Sequence, residues 1–252
     1  MKIEAHVLAY NESEIIGYAL RNLRTFATRI IVHDAGSTDG TRDVCKAYGV
    51  EVRPWAIGGT LDDETNMKLK NECWKGTDAD WVTVLDCDEF LYFPKGAGAT
   101  LCTYERLHAA IIKAHGFDMY AEEFPTTEGQ IYDEVKMGAP ADQWYSKPVL
   151  FSPKRVKEIN FGIGAHEAEP VLVNNHRLHV GATWPKANPP TYLLHFHHGI
   201  GPIDRVAERL DAKRKRLSPL NVKNRWGNLE AGMKHAGDKR RGILAGLMQV
   251  VP

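Results

Sequence analysis

Polar and apolar positions change rhythm at short intervals along the first part of the chain. "KIEAHVLA" alternates as a half-buried strand does, and "NESEIIGYALRNLRTFA" then places Ile15, Ile16, Ala19, Leu20 and Leu23 at helical spacing. "RIIVH" is a short buried-type strand. After "DAGSTDGT", the segment from Arg42 to Tyr48 predicts a helix, its start capped from the Ser37 to Asp39 region and its end marked by Gly49. "VEVRPW" adds a third strand, "DDETNMKLKNECWKG" a third helix stopped at Gly76, and "WVTVL" a fourth strand. The order βαβαβαβ predicts an α/β fold, with a mostly parallel sheet, right-handed crossovers and helices on both faces.

In such sheets ligands sit beyond the carboxyl ends of the strands. The four predicted strands are followed by Tyr10-Asn11-Glu12, Asp34-Ala35-Gly36-Ser37, Trp55 and Asp86-Cys87-Asp88-Glu89, so polar and aromatic groups collect at one edge. Further on, "TYERLHAAIIKAHG" predicts an amphipathic helix and "FDMYAEEF" a strand. From about Gln143 short strands follow in "WYSKPVLFS", "INFGIGAHE" and "VLVNNHRLHV", the last a hairpin turning at Asn174-Asn175. "PIDRVAERLDAKRKRL" is a late helix with a strongly basic end. One main domain over residues 1–200 is expected, with halves 1–95 and 96–200, followed by a helical segment over 201–252.

Composition narrows the setting. The 252 residues carry 32 Lys plus Arg and 32 Asp plus Glu, so no global field recruits nucleic acid, and any electrostatic function is local. Cys45, Cys73, Cys87 and Cys102 form no CxxC pair, which fits reduced thiols in the cytoplasm. "MKIEAHVLAYNE" meets acidic residues too early for a signal peptide, and no apolar run approaches a membrane span of about 20 residues. The tail "KHAGDKRRGILAGLMQVVP" joins a basic stretch to an apolar end. It reads either as a terminal helix packed on its own domain or as a peripheral contact with the inner face of a membrane.

"TVLDCDEFLYF" carries the candidate chemistry. If the segment stays extended, Asp86 and Asp88 share one face, Cys87 points into the body of the protein and Glu89 faces away from the pair. Two carboxylates so close repel unless a cation lies between them, and oxygen ligands suit Mg²⁺ or Mn²⁺. The competing reading is a solvated acidic turn. "YLLHFHHG" places His195 and His197 on one face of a strand with His198 opposite, and an imidazole ligand favours Mn²⁺. "DAGSTDGT" is neither a Walker loop nor GxGxxG; it reads as a tight turn and helix cap, with Asp34 left over at the lip of the strand.

"AYNESEII", "DAGSTDGT", "KNECW" and "ADWVTVLDCDEFL", in that order and spacing, resemble the nucleotide-sugar domain of GT-A glycosyltransferases, most of all family 2 and the group whose DxD motif reads DxDEF. The close match covers roughly the first 95 residues, and "LLHFHH" with its basic helix extends it thinly to about residue 217. The resemblance implies a Rossmann-like GT-A fold with a smaller β-rich acceptor-side region and C-terminal helices. It implies transfer of a sugar from a UDP- or GDP-sugar to a glycan or lipid-linked acceptor, with Mn²⁺ or Mg²⁺ as cofactor. Ala9, Tyr10, Asn11 and Glu12 would line the nucleotide pocket, with Glu12 near ribose or base, and Asp34 would accept a hydrogen bond from the base. Lys70 or Asn71 would lie near the sugar or phosphates; Asp86 would contact ribose or metal, with Cys87 in the same donor-binding segment. Asp88 and His195 would hold the metal, and Arg205, Arg209 or Lys213 would reach the diphosphate.

An inverting transfer also needs a base for the acceptor hydroxyl. Glu122 or Glu123, at the end of "FDMYAEEF", is the reading preferred here, with Asp142, Glu167 and Glu89 as competitors. The usual family 2 "ED" signature and QxxRW-type segment are missing, which leaves base and stereochemistry open. His166 reads as an acceptor-side, metal-side or structural turn histidine. Other classes weighed are a nucleotidyltransferase acting on sugar phosphates, a non-catalytic nucleotide-sugar-binding module and a metal hydrolase built on "HFHH".

Overall fold

The computed structural model describes residues 1–55, 59–141, 146–173, 189–224 and 232–252. The first part runs β1 (Ile3–Ala9), α1 (Ile16–Arg24), β2 (Arg29–Asp34), α2 (Thr41–Ala47), β3 (Glu51–Pro54), α3 (Asp63–Glu72) and β4 (Trp81–Asp86), the predicted alternation. Strands β3, β2, β1 and β4 lie side by side in parallel. Six of the seven β1 positions are buried because helices cover both faces, which is why the strand tolerates little true alternation. The register sets Asp34 opposite Ala9 and Asp86 opposite Leu8, so the acidic strand ends become neighbours in space.

The chain then leaves this sheet. A tight turn at Cys87 and Asp88 leads into β5 (Glu89–Tyr92), which belongs to a second sheet. The stretch expected as one helix over "TYERLHAAIIKAHG" divides instead into α4 (Ala97–Arg106), β6 (Ile111–Lys113) and the start of β7 (His115–Tyr120). His108, at φ 52, ends the helix, and the buried run from Ala109 to Ile112 is apolar on both faces, a pattern that helix and buried strand share.

A helical turn α5 (Ile131–Glu134), β8 (Met137–Pro140), β9 (Pro148–Phe151), β10 (Val156–Glu158) and β11 (Val171–Leu172) follow. β9 extends the first sheet antiparallel to β4, and β6 pairs beyond it. The strand expected in "INFGIGAHE" is a 3-10 turn, Ile163–Ala165, because Gly164 at φ 70 breaks the extended path. The hairpin expected at Asn174-Asn175, and Asp142, lie outside the described residues.

β12 (Tyr192–His195) runs between β7 and β5, and α6 (Ile203–Lys215), α7 (Pro219–Asn224), α8 (Gly232–Ala245) and β13 (Met248–Gln249) close the chain. The second sheet has the order β13, β8, β7, β12, β5. The tail therefore packs on its own domain: β13 pairs with β8, Val251 is buried, and Val206, Ala207, Leu210 and Ala236 join α6 to α8. Among the described residues no helix is long and apolar enough to cross a membrane. All four cysteines are free.

Candidate functional site

The acidic segment is a turn rather than an extended strand, which changes what each carboxylate does. Asp86, the last residue of β4, pairs with the buried Lys70 of α3 at 2.8 Å. Burial pushes the Asp86 carboxyl up, but Lys70 and Lys147 outweigh it and hold the group below the usual carboxylate range. Glu89 turns inward: its Oε2 accepts the Asp86 backbone N–H at 3.2 Å and its Oε1 pairs with Lys147 at 2.5 Å, both side chains being 3% exposed. Cys87 points into the main hydrophobic core. The structure thus gives Cys87 no access to a ligand through its side chain, since the thiol is enclosed by core residues.

Among the described residues no lysine forms an ion pair with Asp88, although the charge of Lys213 acts on it. Asp88 faces histidines instead, with Oδ2 at 2.8 Å from His197 Nδ1 and 3.7 Å from His195 Nε2. Burial alone pushes its carboxyl up, and the two rings outweigh that and hold it well below the usual range. The strand register explains the meeting: His195 lies opposite Glu89 on one side and opposite Asp118 on the other, and Phe196 N–H donates to Asp88 O at 2.9 Å. His195 Nδ1 is 2.9 Å from Asp118 Oδ1. Burial pushes the His195 imidazole down, but Asp88 and Asp118 outweigh it and push it up. With Nδ1–H held by Asp118, Nε2 is the nitrogen that faces Asp88 and that a cation there would take, an arrangement in which a carboxylate orients a metal-binding imidazole.

Strand β12 ends at His195, so the expected alternation of His197 and His198 does not hold. The chain bends, and the His198 ring lies 4.2 Å from that of His197 and 5.3 Å from that of His235 on α8. Burial and the neighbouring Lys213 push His197 down to about 4, so it is a neutral ring at neutral pH.

The nucleotide-side loops are stitched to each other. Asn11, at φ 53, accepts the Thr38 N–H on its side-chain oxygen at 2.8 Å, and Glu12 N–H donates to Thr41 Oγ1 at 2.8 Å. Ala9 is buried in the core at the end of β1. Gly36, at φ 91, makes the tight turn, and Asp39 accepts from Thr41 N–H at 2.9 Å and from Ser13 N–H at 3.1 Å, capping α2 as the sequence predicts. Asp34 is buried and accepts from Arg42 at 2.5 Å and from Ser37 N–H at 3.2 Å. Burial together with the nearby Asp88 charge pushes the Glu12 carboxyl up to about 8, while Lys213, Arg209 and Arg216 act in the opposite direction. Tyr10 is covered by the Arg216 guanidinium, 3.5 Å from the ring centre.

Other expected site residues separate from this cluster. Asn71 is spent on structure: it donates to Phe161 O at 3.1 Å and accepts Phe161 N–H at 2.7 Å, so of the pair Lys70 or Asn71 only Lys70 reaches the acidic turn. Arg205 stands at the surface 3.5 Å from Glu14, whereas Arg209 donates to Ile200 O at 3.2 Å beside the histidines. Glu122 and Glu123 are exposed just after Ala121, which bridges to Ile200. His166 follows the 3-10 turn that packs against α3. Sequence reasoning missed Asp118 and Lys147. A lone acid inside "HGFDMY" and a lone lysine ahead of "PVLF" were the available signals, because a charge within an otherwise apolar strand needs a partner.

The fold is mixed α/β, with β3, β2, β1 and β4 parallel in the first sheet, an architecture consistent with the GT-A type. Residues 5–95 match the model of glycosyl transferase family 2, which bears out the resemblance over the segment that holds β1 to β5. No curated protein matches the chain. Among solved structures, S. aureus TarS 1–349 is similar at 14% identity and a TM-score of 0.47, over 95% of this chain and 69% of that one. Glucosyl-3-phosphoglycerate synthase from Mycobacterium tuberculosis, crystallised with Mn²⁺, UDP and glucosyl-3-phosphoglycerate, is similar at 19% identity and a TM-score of 0.32, over 46% of this chain and 44% of that one. Mannosyl-3-phosphoglycerate synthase from Rubrobacter xylanophilus is similar at 18% identity and a TM-score of 0.35, over 51% and 43%. The match spans less than half the length of either synthase.

Proposed function

We propose that the protein transfers a sugar from a nucleotide-diphosphate donor, a UDP- or GDP-sugar, to an acceptor hydroxyl on a glycan or lipid-linked molecule. The observation that carries this reading is the division of labour at the acidic turn. Asp86 and Glu89 are neutralised by their own lysines, while Asp88 faces a histidine whose other nitrogen is committed to Asp118. Asp88 and His195 Nε2 are the ligands for a divalent cation, and a mixed oxygen and imidazole set suits Mn²⁺. Such a cation offsets the charge that grows on a departing diphosphate.

The remaining roles fall to the chain itself. Arg209 and Lys213 on α6 lie on the side of Glu12 and Asp88 and supply positive charge toward the diphosphate. Asp34, at the end of β2, keeps acceptor capacity for the base, and Tyr10 with Arg216 forms a flat wall beside it. Glu122 or Glu123, exposed just beyond the end of β7 and in no ion pair among the described residues, is assigned as the base for the acceptor hydroxyl.

The test is calorimetric titration of UDP-, GDP-, CMP- and dTDP-sugars with and without Mn²⁺. One nucleotide should bind tightly and only with the metal, and Asp88→Ala should abolish that binding. Binding indifferent to metal and to the substitution would overturn the proposal. Slow donor hydrolysis in the same samples separates an enzyme from a binding module.

A further inference from the structure

A second polar cluster lies within the first sheet, on the face opposite the main core, and the proposed transfer does not use it. Ile3, Ala5, Val7 and Ala9 of β1 belong to that main core, so the alternate positions Glu4 and His6 point the other way. His6 and His33 are 0% and 4% exposed and stack with ring centres 5.3 Å apart. His6 Nδ1 is 3.0 Å from His33 Nε2, and His6 Nε2 is 3.0 Å from Glu4 Oε1, whose carboxylate also pairs with Arg29 at 2.8 Å. Cys73, the residue that ends α3, completes the group: one ring nitrogen of each histidine and its Sγ lie within 4.8 Å of one another.

We propose that His6, His33 and Cys73 form a site for a thiophilic divalent cation of the Zn²⁺ class, distinct from the Asp88 and His195 centre. The donor set is the argument for the metal class: imidazole and thiolate select zinc-like ions over Mg²⁺ or Mn²⁺. Glu4 accepts the Nε2–H of His6, which leaves the Nδ1 lone pair directed at the group, the outer carboxylate that metal-binding histidines ordinarily have. Burial pushes the His33 imidazole down to about 4, so both rings offer lone pairs rather than charge at neutral pH. Tetrahedral zinc holds its ligand atoms about 3.3–3.6 Å apart, so His6 Nδ1 and His33 Nε2, 3.0 Å apart here, spread slightly while Cys73 Sγ closes in by on the order of 1 Å. On binding, the Cys73 thiol proton leaves to solvent and the proton on His33 Nε2 moves to Nδ1, so the lone pairs meet the metal with charge balanced. Cys73 is half-buried, which gives the ion an entrance. Three ligands leave a fourth position for water.

Co²⁺ replaces Zn²⁺ as a visible probe. The metal-free protein titrated with Co²⁺ should develop a thiolate-to-cobalt charge-transfer band at one equivalent, and Zn²⁺ should erase it. The band should persist in Asp88→Ala, which removes the other centre, and vanish in Cys73→Ser, whose site is near the surface and whose fold is checked by circular dichroism. His33→Gln should weaken Zn²⁺ binding at least tenfold. A wild-type protein without the band, or a band that survives Cys73→Ser, would overturn the site and leave the sugar-transfer reading untouched.

Discussion

Asp34 shapes the turn after β2 with its carboxylate, and under the proposed function it would meet a second demand by accepting a hydrogen bond from the nucleotide base. Burial pushes its carboxyl up, but hydrogen bonds from Ser37 and Arg42 outweigh it and hold the group below its ordinary value. A depressed folded-state value contributes stability above the unfolded value, near 3.8, and that contribution is lost as pH falls through the lower folded one. Asp34→Asn should therefore be less stable than wild type at neutral pH by about 1.5 kcal/mol, a low figure for a charged hydrogen bond because Arg42 is half exposed. Urea unfolding should show the gap closing below about pH 4. Under the proposed function Asp118 positions His195, whose Nδ1 it holds at 2.9 Å, and Asp118→Asn should then weaken Mn²⁺ binding about 10- to 100-fold in calorimetry while the fold is kept. Asp34, Asp86 and Asp88 stand out as candidates in the sequence because they follow predicted strands, and His195 because it opens the histidine cluster of "YLLHFHHG"; the structure brings Asp88 and His195 within 3.7 Å. Asp118 and Lys147 do not stand out, since each owes its role to a partner 77 or 58 residues away that only strand register brings near.

The elements of the first half follow the hydrophobic rhythm to within a few residues, and those of the second half do not. From β1 to β4, each helix has one covered face, and β1, β2 and β4 each have a buried run while the edge strand β3 is mostly exposed, so period and length distinguish helix from strand. Between Ala109 and Lys113 both faces are covered, the period is erased, and a strand reads as the continuation of α4. The turn at Cys87 and Asp88 was likewise illegible, because its apolar flanks allow a continuous strand as well as a corner. Two substitutions test how these elements are held. Lys147→Met leaves Glu89 buried without its cation and should cost about 3–5 kcal/mol, whereas the double change with Glu89→Leu should recover much of that loss in chemical unfolding. A Cβ on Gly199 would stand 1.9 Å from Met119 O, so Gly199→Ala must push the histidine segment off β7. It should cost about 1–3 kcal/mol and lower metal affinity in the same sample.

At the scale of the molecule, the C-terminal segment is part of the second sheet rather than an appendage to it. β13 covers the edge of β8, and Val250 N–H donates to Lys136 O at 2.9 Å. A chain ending at Leu247 should lose thermal stability and gain light scattering, because an uncovered edge strand invites pairing with another copy. The same segment carries His235 against His198, so the last helix also supports the histidine bend. β4 and β5 belong to different sheets, joined only by Cys87 and Asp88. The proposed cation ligand thus sits at the corner where the chain passes from one sheet to the other, above the hydrophobic core that the two sheets share. Phe196 N–H donates to Asp88 O and His195 sits opposite Glu89, so Asp88 and His195 travel with the second sheet, and a shift of that sheet against the first would carry both proposed ligands as one unit toward or away from the nucleotide-side loops.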